Sequence, residues 1–326
     1  MKPTDINLGN SPILASLMLS SYAQGNFVAD KVFPMLPAEA RNLQLPQMGD
    51  AAMRLYDTRR APGASTKQIR ISFQGRIFKV DQHSVEVPIP EEVFEEMGFA
   101  KPDTTRPLDV RLYLPIAEIA AATASAVLQL SYEVEAATLA STAANYAAGN
   151  TLALAAGTKW NAATGTPAVD IEAAHNVIRK KTGRRANLLT LSPDAYSAAR
   201  MNPQVRSYFG GGQTVYGPAT DAQLAQVFGV QQVAVGEAIY IDDADAANDA
   251  WGNNAVLSYS PPITSGATLN LGEPRFGYTH VLPGHPKVEV PFFDKVTTRS
   301  WIFRATFERK PHVIHSGAGF LFQNPA

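Results

Sequence analysis

The sequence lacks cysteine altogether, and it is poor in charge. The absence of cysteine excludes disulfides, thiolate metal sites and cysteine nucleophiles, and it is consistent with folding in a reducing compartment. Charged residues make up 17% of the 326 residues, whereas soluble domains usually have about a quarter. A chain with few charges has less means of keeping its whole surface in water. This composition favours a protein that buries surface against neighbours.

Long apolar runs are missing as well. No stretch approaches the ~18 consecutive apolar residues of a membrane-spanning helix, so no membrane partner is expected. Residues 11–23 are apolar, but no basic cluster precedes them, and we interpret them as an amphipathic arm rather than a signal peptide. The net charge of −1 and the pI near 6.6 exclude the strongly basic balance typical of nucleic-acid-binding proteins.

Motifs for catalysis, nucleotides and metals are absent or incomplete. Gly210–Gly212 is not followed by the Gly-Lys-Ser/Thr of a phosphate loop, and no Gly-x-Ser-x-Gly elbow occurs. The four aspartates between positions 242 and 249 lack the spacing of a calcium loop, so we interpret them as a solvated loop. His312 and His315 fall in a predicted strand, where residues three apart point to opposite faces. We therefore predict no catalytic residue, no metal and no cofactor.

Periodic patterns predict an α+β protein with one long helix. Alternating apolar residues over 69–73 and 85–89 predict β structure, which we interpret as a long hairpin leaving the body and returning. A helix is predicted over 115–148, with Pro115 in its first turn and Gly149 at its end. Its length would be about 50 Å.

Shorter elements are predicted in the second half of the chain. Asp170 is expected to cap a helix over 170–181 that Gly183 ends. A strand at 188–191 leads to a short helix that Ser192 opens, and a further helix is expected at 221–228. Strands are predicted at 233–235 and 238–241, and antiparallel strands in the last 70 residues or so.

Two neighbouring segments carry opposite charge. The predicted hairpin is rich in bases: Arg54, Arg59, Arg60, Lys67, Arg70, Arg76 and Lys79. The segment that follows has only acids: Glu86, Glu91, Glu92, Glu95 and Glu96. We interpret the pattern as an inter-subunit contact, in which each hairpin pairs with the acidic segment of a neighbour and sets the register of assembly. The alternative is a solvated hairpin whose local ion pairs contribute little.

A second basic run straddles the end of the helix predicted over 170–181. Arg179, Lys180 and Lys181 precede Gly183, and Arg184 and Arg185 follow it. Cations at this position offset the negative end of the helix dipole, which alone accounts for them. Contact with DNA is the other interpretation.

Short motifs spread over 27–279 are similar to those of tailed-bacteriophage major capsid proteins. Residues 27–34 (FVADKVFP) resemble the N-terminal signature of that family, and 59–63 (RRAPG) resemble an element that leads into its extended loop. Further matches follow in the family's order: Trp160, 165–167, 170–171, 182–189, 202–205, 228–230, 235–236, 251–252 and 274–279. Each match is short, and their order and spacing make the resemblance specific.

The resemblance implies the Hong-Kong-97-type coat fold and a division of the chain into five parts. These would be an N-terminal arm at 1–50, an extended β-hairpin loop at 51–86, a peripheral domain at 87–189 with the spine helix 115–148, an axial domain at 190–270, and return strands of the peripheral domain at 271–326. The function implied is a major capsid protein, not an enzyme. It would self-assemble through hexamers and pentamers into the icosahedral head, around double-stranded DNA.

The resemblance also implies partners. Because the signature begins at Phe27, we expect no cleaved scaffolding segment before the arm. The resemblance then implies a separate scaffolding protein, or none, and we expect a separate one. A portal, a cement protein and packaged DNA, bound without sequence specificity at the inner surface, are the other expected partners. Assembly is expected in the host bacterial cytoplasm, and the product would be the virion capsid. Lys67 or Lys79 would supply the lysine of a subunit crosslink, but no partner asparagine stands out and we predict no crosslink.

Two alternatives of other kinds remain open at this point. An encapsulin-like compartment shell, or another virion protein, would use the same fold. A soluble α+β hydrolase is a further alternative, although no specific motif favours it.

Overall fold

The computed structural model describes residues 27–38, 40–47, 55, 59–60, 62, 66, 74–96, 110–209, 217–261, 273–294 and 297–326. The helices of this part of the chain are α1 (Ala29–Val32), α2 (Glu91–Glu96), α3 (Val110–Ser141), α4 (Pro167–Thr182), α5 (Pro193–Met201), α6 (Pro203–Ser207) and α7 (Asp221–Phe228). Two short 3₁₀ turns lie at Ala143–Asn145 and Ser316–Ala318. Within the described ranges, no helix combines the length and the apolar character needed to cross a membrane.

Most of the strands belong to two sheets. The first eight are β1 (Met35–Pro37), β2 (Asn42–Gln47), β3 (Gln74–Lys79), β4 (Asp81–Pro90), β5 (Thr151–Ala153), β6 (Leu188–Leu191), β7 (Gln232–Val235) and β8 (Ile239–Ile241). The other seven are β9 (Ala247–Asp249), β10 (Asn254–Ser258), β11 (Gly277–Val281), β12 (Lys287–Val288), β13 (Phe292–Asp294), β14 (Ser300–Val313) and β15 (Gly319–Gln323).

The six-stranded sheet is organised around β14, which pairs antiparallel with β4, β11, β12 and β13, while β1 joins beyond β11. The odd-numbered side chains of β14 face α3, because successive residues of a strand point to opposite faces. Trp301, Phe303 and Phe307 pack there against Ala124 and Leu128 of the helix. The small alanine side chains of α3 let the helix lie close to these large aromatic rings.

The five-stranded sheet has the order β5-β15-β10-β6-β7, and it is covered on both faces. One face, with Leu189 and Phe322, packs against α4, α5 and α7. The other face, with Val256 and Leu321, packs against α1 and the C-terminal half of α3. The long helix therefore spans both sheets and joins them. The Hong-Kong-97-type spine that the sequence predicts is this helix.

The spine helix differs from its predicted bounds at both ends. It begins at Val110 and ends at Ser141, rather than covering 115–148. The early end has a physical cause: Asn145 Nδ2 donates to Leu139 O at 2.8 Å and the Tyr146 hydroxyl donates to Ala140 O at 2.5 Å. These side chains satisfy carbonyls of the last turn that have no partner in the helix.

The predicted long hairpin also differs. Strand β3 pairs antiparallel with β2, which the prediction had included in the N-terminal arm. The prediction assigned the residues of β4 up to 86 to the loop. Strand β4 instead pairs with β14 over ten residues. Its side chains Val85, Val87 and Ile89 pack against the core under α3, and this burial holds β4 in the body. The predicted strand at 69–73 lies outside the described residues.

Shorter predicted elements agree with the structure, with one change of cap. Strand β6 and helix α7 have the predicted bounds, and Ser192 caps α5 by accepting from Ala195 N. Helix α4 ends at Gly183, in the left-handed conformation with φ 71°, as predicted. Its N-cap is Thr166 rather than Asp170, because Pro167 suits the first helical position.

Candidate functional site: a buried junction and its charged surroundings

A buried carboxylate on the spine helix joins three separate parts of the chain. Glu133 is 0% exposed. Its Oε2 accepts from Ala29 N at 2.9 Å, and its Oε1 accepts from Val28 N at 3.0 Å and from Trp251 Nε1 at 2.7 Å. Burial raises the pKa of Glu133, and the three N–H donors oppose that rise. We call this region the junction: residues 27–36, Glu133, Trp251 and the segment 276–279.

Close packing surrounds Trp251 within the junction. A Cβ on Gly236 would lie 2.2 Å from Trp251 Cδ1, a distance that real side chains do not tolerate. Position 236 therefore requires glycine so that the indole can reach Glu133. Residues 235–236 and 251–252 are two of the motifs that the sequence shares with capsid proteins, and the structure brings them into contact.

The N-terminal signature is held at its other end by hydroxyls. The Tyr132 and Thr279 hydroxyls donate to Phe33 O at 3.1 and 2.9 Å, and the Phe33 and Phe276 rings lie 5.6 Å apart. A Cβ on Gly277 would lie 2.5 Å from the Phe33 ring. The signature at 27–34 and the motif at 274–279 thus form one packed unit against the C-terminal half of the spine helix.

A second carboxylate of the spine helix is held by the six-stranded sheet. Glu135 forms ion pairs with Arg309 and with Lys310, the latter at 2.7 Å. Arg309 is 0% exposed, and its guanidinium lies 4.8 Å from the centre of the Tyr132 ring. Lys310 also pairs with Asp81 of β4 at 3.1 Å. This cluster fixes the spine helix against β14 and β4.

Sequence reasoning missed both carboxylates. The available signal is that residues 119–132 contain no charge, and that Glu133 and Glu135 then interrupt the apolar pattern. A charge placed in the apolar face of a helix needs a buried partner. The partners lie more than 100 residues away along the chain, so the sequence could have flagged the acids but could not have named what they bind.

Three rings from different strands meet at the root of the β2–β3 ribbon. His280 of β11 and His312 of β14 lie 5.5 Å apart, and Phe78 of β3 lies 4.3 Å from His312. His280 is 0% exposed, and neither of its ring nitrogens has a hydrogen-bond partner among the described residues. His315, by contrast, caps the turn at 316–318 by accepting from Gly317 N. Strand β14 ends at Val313, so the prediction that His315 lies in a strand is wrong. The described residues contain no cluster of metal ligands.

The predicted inter-subunit residues are only partly brought together. Glu86 accepts from Arg304 Nε at 2.7 Å and Glu91 lies 3.3 Å from Arg299, so two of the acids have partners in their own chain. Glu92 is exposed, and Glu95 and Glu96 lie in α2. Among the bases, Arg59, Arg60 and Lys79 are exposed and Arg76 lies in β3. Arg54, Lys67 and Arg70 are outside the described residues.

The junction predicts a large effect of Glu133. We expect Glu133→Ala to lower the free energy of unfolding by at least about 3 kcal/mol, because it leaves three buried N–H donors unpaired. Glu172 is the matched control: it is an exposed helical glutamate paired with Arg185 at 2.6 Å, so Glu172→Ala should cost about 1 kcal/mol or less. Urea unfolding followed by circular dichroism measures both. Equal effects of the two substitutions would contradict the assigned role of Glu133.

The histidine pair predicts a loss of stability in acid. Burial lowers the pKa of His280 to about 4, and burial together with the charge of His280 lowers that of His312 to about 4. Unfolded histidine titrates near 6.5, so the unfolded chain binds more protons between these values. The free energy of unfolding should therefore fall as the pH is lowered from about 6.5 to 4, by roughly 3 kcal/mol for His280.

The variant His280→Leu isolates this contribution. Urea unfolding at several pH values in that window should give a visibly flatter dependence on pH than the original chain. An unchanged slope would show that His280 does not titrate with a lowered pKa.

Known phage proteins are similar to this chain over nearly its whole length. No family model matches the chain. The major capsid protein of Burkholderia phage BcepMu is 31% identical over 311 residues, which cover 95% of this chain and 94% of that protein. The crystal structure of a phage-related protein from Bordetella bronchiseptica RB50 is 28% identical, with a TM-score of 0.73 over 97% of both chains.

A likeness in fold alone extends further. The capsid of cyanophage P-SCSP1u has a TM-score of 0.59 at 13% identity, over 91% of this chain and 88% of that one. The Hong-Kong-97-type fold expected from the sequence is thereby confirmed. With near-complete coverage of a named relative, the chain belongs to the bacteriophage major capsid protein family.

Proposed function

We propose that this chain is the coat subunit of the icosahedral head of a tailed phage and that it encloses double-stranded DNA. The observation that carries the proposal is the 31% identity to a phage major capsid protein over nearly the whole of both chains. Virion capsid is the location that this family implies. Assembly through hexamers and pentamers, in the cytoplasm of a host bacterium, belongs to the proposal.

The architecture supports such a role. The spine helix and the two sheets are joined by buried hydrogen bonds at the junction and by the ion pairs of Glu135, which makes a rigid body. The β2–β3 ribbon leaves that body: Asn42 pairs with Lys79 at its root and Gln47 with Gln74 at its outer end. We propose that the segment between these two strands contacts a neighbouring copy. Many weak contacts of this kind add up to a stable shell.

The charged loop supplies a specific contact within this proposal. We propose that the bases at 54–79 pair with the acidic segment 86–96 of a neighbouring copy. Arg59 and Arg60 are exposed, and exposed Glu92 has no ion pair within the described part of the chain. Glu86 and Glu91 have partners in their own chain, but exposed ion pairs contribute only about 0–1 kcal/mol. Such pairs can exchange for partners on another copy at small cost.

Further partners belong to the proposal. A separate scaffolding protein, a portal and a cement protein would join the shell, and DNA would contact its inner surface without sequence specificity. Their attachment sites are not assigned to residues.

Electron microscopy tests the shell function. Expressed protein, alone or with the scaffolding protein of its phage, should form closed particles in negative stain. Size-exclusion chromatography should show the same material far above the monomer. A compact monomer under both conditions, with no particles in any buffer, would contradict the proposal.

Charge reversal tests the loop contact. Arg59→Glu with Arg60→Glu should reduce particle yield about tenfold or more, because like charges then face each other at every repeat of the contact. Thermal unfolding of the dissociated subunit should be unchanged. The charge-conserving control, Arg59→Lys with Arg60→Lys, should assemble normally. Normal particles from the double glutamate variant would contradict this contact while leaving the shell function intact.

A further inference from the structure

A small two-stranded ribbon exposes apolar side chains that nothing in its own described chain covers. Strands β8 and β9 pair with Ile239 opposite Asp249 and Ile241 opposite Ala247. Residues two apart or directly opposite share a face of a ribbon, so both isoleucines lie on one face. They are 57% and 70% exposed. Tyr240 and Asn248, on the other face, are half-buried.

The tip of this ribbon is held in one conformation. The Asp242 carboxylate accepts from Ala244 N at 2.9 Å and from Ala246 N at 3.0 Å through one oxygen, and from Asn248 Nδ2 at 2.9 Å through the other. The backbone pair Asp242 N to Ala246 O, at 3.0 Å, closes the turn. A preorganised ribbon loses little conformational freedom when it binds.

The ribbon is also the centre of a purely acidic stretch. Between Arg206 and Arg275 the sequence contains no lysine, arginine or histidine, and its acids are Asp221, Glu237, Asp242, Asp243, Asp245, Asp249 and Glu273. Asp243, Asp245 and Asp249 are exposed on the ribbon. Its surface therefore combines two isoleucines with a rim of negative charge.

The complementary surface lies at the end of the five-stranded sheet that is opposite to the ribbon. Arg179, Lys180 and Arg184 are exposed around the C-terminal end of α4. None of the three forms an ion pair within the described part of the chain, although the charge of Arg184 helps to lower the pKa of Glu273. These bases precede β6 in the chain, whereas the ribbon follows β7. Because β6 and β7 are parallel, the bases lie where the two strands start and the ribbon lies where they end. The length of the four-residue strands, about 13 Å at 3.3 Å per residue, therefore separates the two surfaces. The acidic ribbon and the basic end cannot meet within one chain.

We propose that the acidic ribbon of one copy docks on the basic end of the five-stranded sheet of a second copy, head to tail. Strand β5 begins at that basic end, and its Leu152, which is 37% exposed, offers the isoleucines an apolar partner. Lys181, which donates to Ala148 O at 2.5 Å, ties the end of α4 to the loop before β5. A contact between different surfaces of identical copies generates a ring when its rotation closes.

Two observations favour a second copy over nucleic acid as the occupant of the basic end. The complementary acidic surface is present on every copy, and exposed isoleucines beside the acids call for an apolar partner that a phosphate backbone does not offer. The inference rests on the proposed shell function, because it assigns one contact within the hexamers and pentamers. It is distinct from the loop contact, which uses other residues.

Thiol crosslinking tests the contact directly, since the chain has no cysteine. Assembled particles of the variant Asp243→Cys with Lys180→Cys are treated with a short bismaleimide and run on a denaturing gel. A ladder that ends at five and six subunits is expected. Either single cysteine variant should give nothing beyond a dimer. Particles without a ladder would overturn the contact and leave the shell function standing, whereas a failure of the original chain to form particles would overturn the shell function itself.

Charge exchange gives a second, independent test. Asp243→Lys with Asp245→Lys, and separately Arg179→Glu with Lys180→Glu, should each reduce particle yield about tenfold. The quadruple variant, in which every interface is complementary again, should recover most of the yield. Circular dichroism and melting of the dissociated subunits check that each variant folds.

Failure of the quadruple variant, with both double variants folded, would overturn the pairing. So would normal particles of the Arg179→Glu, Lys180→Glu variant that retain less DNA, because the basic end would then face nucleic acid.

Discussion

The hydrogen bonds of Glu133 are the interaction on which the rest of the structure depends. One carboxylate of the spine helix accepts from the start of the N-terminal signature and from the indole of Trp251. A buried carboxylate without donors would be costly, so its presence requires all three segments to meet. The five-stranded sheet, the spine helix and the entry of the N-terminal segment are thereby held in one arrangement, which a repeated shell subunit needs.

Two features of the fold adjoin this fixed centre. The N-terminal segment enters at Phe27 beside Glu133, and the β2–β3 ribbon begins at Phe78, which packs against His280 and His312. Both of these histidines are neutral at ordinary pH because burial lowers their pKa. The root of the β2–β3 ribbon therefore rests on uncharged rings.

Two oppositely charged surfaces of this chain lie apart from each other. The acidic ribbon at 239–249 and the basic end around Arg184 are separated by the length of a parallel strand pair. By contrast, Glu86 and Glu91 lie beside Arg304 and Arg299 and are paired within the chain. The strand order thus decides which opposite charges become neighbours within the chain.

The sequence by itself determined the class of the fold, the family, and those elements whose signals are local. Strand β6, helix α7, the Ser192 cap and the Gly183 end follow from alternation, helical spacing and backbone conformation over a few residues. Tertiary structure alone decided that β4 belongs to the body, that the spine helix ends at Ser141, and that Glu133 binds Trp251. Those outcomes depend on burial and on hydrogen bonds between residues up to about 200 positions apart, and a local pattern contains no information on which distant donor will satisfy a buried acceptor.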